Sequence, residues 1–62
     1  MTASDIRTLR HSMSLDQTSF ASLIPVALTT VYRWERGETN PSPMALRRLR
    51  EIREEHSRLA VA

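Results

Sequence analysis

Apolar positions recur along this chain at three- and four-residue spacing, and no stretch alternates for long enough to be a strand. Ile6, Leu9 and Met13 fall at i, i+3 and i+7 and predict a first helix over about residues 3–13. Thr2 followed by Asp5 has the form of a capping box with Asp in place of Glu. Ser14 and Leu15 break the pattern, and Asp16 suits an N-cap because its carboxylate accepts from the free amides of the next turn. A second helix is expected over 17–24, with Phe20, Ala21 and Ile24 on one side. Pro25 ends it by pushing the preceding residue out of helical geometry. A third helix runs from 27 or 28 to 36, turning Val31 and Trp34 inward with Ala27 on the same side. Gly37, the only glycine, follows where a helix end wants a left-handed residue. Ser42-Pro43 then reads as an N-cap and a first helical position. The fourth helix starts there, with a stripe of Leu46, Leu49 and Ile52 that Leu59 extends. The expected fold is all-α, a bundle of four helices, or five if the tail folds separately. One domain spans 1–62, with its compact part over about 5–52 and a helical extension or tail over 53–62.

Composition bounds this picture. Sixty-two residues suit a single domain. Without cysteine, disulfides and thiolate zinc sites are excluded. A 40% hydrophobic and 26% charged balance is that of a globular chain, not a disordered one. No apolar run approaches the roughly 18 residues of a membrane span, and Met1-Thr2-Ala3-Ser4-Asp5 does not resemble a signal peptide. The expectation is a soluble, cytoplasmic protein with no membrane partner. His11 and His56 lie far apart with no ligand cluster around them, so no metal or other cofactor is expected. No nucleophile and base stand together, so neither an enzyme nor a small-molecule substrate is expected.

Charge changes the picture more. The basic residues are all arginine, and they are unevenly placed. Residues 1–26 are neutral in sum, residues 27–50 carry +3 and residues 51–62 carry −1. A basic middle fits a polyanionic partner. Two short helices joined by a tight turn, 17–24 and 27–36, have the spacing of a helix-turn-helix. A helix about 10–12 Å across fits the major groove of B-DNA, roughly 12 Å wide. On the third helix Thr29, Arg33 and Arg36 fall at i, i+4 and i+7 opposite Val31 and Trp34, with Leu28 and Tyr32 beside them. Arginine can hold guanine O6 and N7 with two bonds, and threonine and leucine methyls can meet thymine. Leu28, Thr29 and Arg33 are therefore the candidate base readers. Tyr32 and Arg36, the latter at the helix end, are candidates for backbone phosphate.

The segment Leu15-Asp16-Gln17-Thr18-Ser19-Phe20-Ala21, followed by Val31-Tyr32-Arg33-Trp34-Glu35-Arg36-Gly37 and then Pro41-Ser42, resembles the phage repressor and Cro type of helix-turn-helix. The pattern of that XRE-like family is L-S-Q-x-x-F-A, then T-V-x-x-W-E-x-G, then P-S, and the similarity covers about residues 5–52. It implies a lambda-repressor-like DNA-binding domain. It further implies that Gln17 caps the second helix and touches phosphate, that Arg10 pairs with Glu35, and that the loop from Glu38 through Thr39 to Asn40 lies near the DNA backbone. Three positions depart from the pattern: Ser14 and Pro25 stand where the family has glycine, and Ala27 stands where it has a Ser or Thr cap.

A single module of this size covers roughly 600–1,000 Å². A two-fold dimer would place two reading helices about 34 Å apart on a palindromic operator. Ile52, Leu59 and Val61 are the candidate seam residues. The function implied is a sequence-specific regulator of transcription that binds double-stranded DNA as a homodimer, in bacterial or phage cytoplasm, as a repressor that can act on its own gene. The alternative is an antitoxin-type or other protein-interaction module that keeps the helix-turn-helix shape.

Overall fold

The computed structural model describes residues 1–61, and the side chains of residues 1–59. Its elements are α1 (Ala3–Ser12), α2 (Gln17–Leu23), α3 (Leu28–Glu35) and α4 (Pro43–Val61), with no strand among the described residues. No helix among them is long and apolar enough to cross a membrane.

Local chemistry sets most of the helix ends. The Thr2 hydroxyl accepts from the Asp5 N–H at 3.1 Å, and the Thr2 N–H donates to the Asp5 carboxylate at 2.9 Å, a closed capping box. Asp16 caps α2 by accepting from the Ser19 N–H at 2.7 Å, and Ser42 caps α4 by accepting from the Ala45 N–H at 3.2 Å. The ends of α1 and α3 share one motif. After α3, Gly37 (φ 75°) lets its N–H reach the Trp34 carbonyl at 3.1 Å and the Glu38 N–H reach Arg33 at 2.9 Å. After α1, the same pair of bonds runs from Ser14 to His11 and from Leu15 to Arg10, and Ser14 takes φ 56° to allow it.

Two local expectations are corrected. Ile24 keeps helical dihedral angles (φ −65°, ψ −42°) although it precedes Pro25. Burial of its side chain outweighs the local preference, and the helix stops because Pro25 has no N–H to donate. Ala27 is exposed, not inward-facing. It is the extended N-cap of α3 (ψ 148°), so the helical wheel does not reach it, and its methyl makes no capping bond.

The core gathers Ile6 and Leu9 from α1, Phe20, Ala21 and Ile24 from α2 and its end, Val31 and Trp34 from α3, and Ala45, Leu49 and Ile52 from α4. Phe20 is fully enclosed, and truncating such a side chain costs about 3–5 kcal/mol. The α4 stripe corrects a third expectation. Ile52 is only 3% exposed and packs inside the monomer, so it does not belong to a dimer seam. Ala45, Leu49 and Ile52 at i, i+4 and i+7 form the inward stripe, and Leu46 lies half-buried at its edge. Leu59 is exposed, and the side chain of Val61 lies outside those described.

Candidate nucleic-acid interface

α3 packs against both α2 and α1, and this fixes which of its faces is free. Val31, Trp34 and Glu35 are buried. Thr29, Tyr32, Arg33 and Arg36 are exposed, and Leu28 is half-buried at their margin. One side of the helix thus presents hydroxyl, phenol and two guanidinium groups to solvent while the other anchors it. Thr39 and Asn40 are exposed in the loop that follows. Arg36 leans back to Glu38 across 3.3 Å, a solvent-exposed pair that contributes little to stability.

Glu35, the last residue of α3, joins three helices. Arg10 of α1 donates to its carboxylate from Nε at 2.7 Å and from Nη2 at 2.9 Å. The remaining terminal nitrogen of Arg10 donates to the Leu15 carbonyl at 3.1 Å. Gln17, the first residue of α2, donates its side-chain amide to the same carboxylate at 3.2 Å. Arg7 of α1 donates to the Glu35 backbone carbonyl, one of those that a helix C-terminus leaves free. Burial by itself would raise the Glu35 pKa. The hydrogen bond and charge of Arg10, aided by Gln17, outweigh it and hold the carboxyl below its usual range. The same hydrogen bond raises the pKa of Arg10. Among the described residues no buried side-chain nitrogen or oxygen lacks a partner.

These contacts differ from the sequence reading in two ways. Gln17 does not cap α2; Asp16 does, and the Gln17 side chain is partly committed to Glu35. Arg7 had no assigned role, yet it clamps the end of α3. It lies three residues before Arg10, on the same face of α1, and that spacing is the signal that could have found it. Among the described residues no three potential metal ligands come together.

A family model described as helix-turn-helix matches residues 6–52. No curated protein and no solved structure matches the chain.

Proposed function

Because the chain belongs to the Cro/C1-type, XRE-like helix-turn-helix family of DNA-binding regulators, we propose that it is a homodimeric repressor that reads a palindromic operator with α3 in the major groove. The observation that carries this reading is the two-sidedness of α3, with Trp34 and Val31 enclosed and Thr29, Arg33 and Arg36 exposed opposite them. Such a helix needs no rearrangement to enter a groove. Arg33 is assigned to a guanine edge, and Leu28 and Thr29 to neighbouring base edges, thymine methyls among them. Tyr32, Arg36, Thr39 and Asn40 are assigned to the sugar-phosphate backbone, where contacts set register without carrying sequence information. Gln17 joins them: a side-chain amide has two N–H donors, and its bond to Glu35 leaves one for phosphate.

A dimer with a seam on α4 that includes Leu59 and Val61 supplies the second half-site. Occupying an operator that overlaps a promoter excludes polymerase, so repression, including that of its own gene, is the simplest output. In a bacterial or phage-infected cell, where the DNA lies in the cytoplasm, that is its place of action. The reading is tested by duplex affinity as a function of salt. Affinity should fall with a slope of about −0.9 for each phosphate neutralised. A flat dependence would contradict it and favour a protein partner.

A further inference from the structure

We propose that one flank of α4 pairs with the same flank of a second copy, the two helices running antiparallel across a two-fold axis between Glu51 and Ile52. The inference rests on the homodimer proposed above and gives it a surface and a register.

Among the described residues, the buried side chains of α4 end at Ile52. Ala45, Leu49 and Ile52 are buried, whereas from Arg53 to Leu59 only His56 is even half-covered. Among the described residues, two large apolar side chains of α4 are left in solvent, Met44 at 85% exposure and Leu59 at 77%. Fifteen residues apart, they stand about 22 Å from each other along the helix and roughly 60° around it. Met44 borders an apolar groove of about 400 Å³, whose other walls include Ile24, Pro25, Val26 and Arg48. One end of the flank is therefore a hollow and the other a projecting leucine. Both lie on one rigid helix, so Leu59 cannot fill the hollow of its own chain. A second copy turned end for end fills both hollows at once, the self-complementary contact that two-fold symmetry requires.

Charge selects the same orientation. Arg47, Arg48 and Arg50 lie in the first half of α4, and Glu51, Glu54 and Glu55 follow them. The register that seats Leu59 beside Met44 of the second copy also sets Arg48 opposite its Glu55, and by symmetry Glu55 opposite its Arg48. Parallel pairing would set arginine on arginine. Glu51 lies beside the axis and close to its own counterpart, but each is already paired with Arg47 at 3.5 Å and Arg48 at 3.6 Å in its own chain. Two apolar contacts and exposed ion pairs make a weak dimer, one that binding to adjacent half-sites would complete.

The chain has no cysteine, so single introduced thiols report contacts without ambiguity. Met44→Cys and Leu59→Cys are both exposed substitutions that leave the core untouched. The two variants are oxidised separately and as a mixture, and resolved on a non-reducing denaturing gel, alongside sedimentation of the unmodified protein with and without duplex. A disulfide-linked dimer at least tenfold more abundant in the mixture than in either variant alone is the expected result. Efficient self-linking of Leu59→Cys would overturn the antiparallel register. No linkage in the mixture while the protein sediments as a dimer would overturn this surface and leave the dimer standing. A monomer both free and on DNA would overturn the dimer as well.

Discussion

Arg10 and Glu35, 25 residues apart, are joined by two parallel hydrogen bonds of 2.7 and 2.9 Å, with Glu35 only 5% exposed. The pair ties α1 to the end of α3. Removing only the cation strands a buried carboxylate, which costs about 3–5 kcal/mol. Domains are stable by only about 5–15 kcal/mol. Arg10→Ala should therefore leave this protein marginal or unfolded in urea titration. Replacing both residues together, Arg10→Met with Glu35→Leu, should cost far less, because no buried charge remains. An Arg10→Ala loss below about 1 kcal/mol would mean that the pair behaves as an exposed one.

Acid should weaken the fold through the same carboxylate. Its pKa is lower in the folded chain than in the unfolded one, so the unfolded chain takes up its proton first as pH falls. The stabilisation is complete above the ordinary glutamate value of about 4.3 and is lost below it, as pH passes through the folded value. Asp5 and Asp16 act in the same sense, held low by the backbone N–H groups of Thr2 and Ser19. Thermal midpoints should drop on acidification below about pH 4.3. The drop should be shallower in Glu35→Gln, and an unchanged slope in that variant would remove Glu35 from the explanation.

Ser14 and Gly37 occupy the same kind of helix-end position, with φ of 56° and 75°. A non-glycine residue there costs roughly 1–2 kcal/mol, and glycine costs about 0.5–1 kcal/mol in extra chain entropy. Ser14→Gly should therefore stabilise by about 0.5–1 kcal/mol. Gly37→Ala should destabilise by a similar amount through the backbone alone, since a Cβ there meets nothing within 4 Å. Chemical denaturation of the two variants measures both signs, and a change in the same direction for both would refute the argument.

α3 begins at Ala27 without a side-chain cap. Ala27→Ser should supply one, and caps of this kind are worth about 1 kcal/mol. The gain should appear as a higher urea midpoint with an unchanged slope. No gain would mean that the α3 amides are already satisfied by another route.

What could be read from the sequence was mainly what short-range chemistry decides. Thr2 with Asp5, Asp16, Gly37 and Ser42-Pro43 each act within a few residues, and each marks a helix end in the structure. Ile52 was misplaced because a helical stripe says which residues share a face but not whether that face meets the same chain or another. The partners of Gln17 and Arg7 lie 18 and 28 residues away, at the end of α3. Spacing puts Arg7 on the face of α1 that carries Arg10, but the packing of α1 and α2 against α3 is what brings these side chains to Glu35, and local spacing alone does not encode that packing. Ile24 was misread for a related reason, since a buried side chain overrode the backbone preference set by its neighbour.

The central claim is that the exposed side of α3 reads bases. It is tested most directly by selecting bound duplexes from a random pool with the unmodified protein and with Arg33→Ala, side by side. Arg33 is exposed, so the substitution should change stability by no more than about 0.5 kcal/mol. The unmodified protein should select a two-fold symmetric site. Arg33→Ala should lose about 1–3 kcal/mol of discrimination at one base pair in each half, whereas Gln17→Ala should weaken binding to all sequences alike. Identical selected sites and affinities for Arg33→Ala and the unmodified protein would contradict the claim.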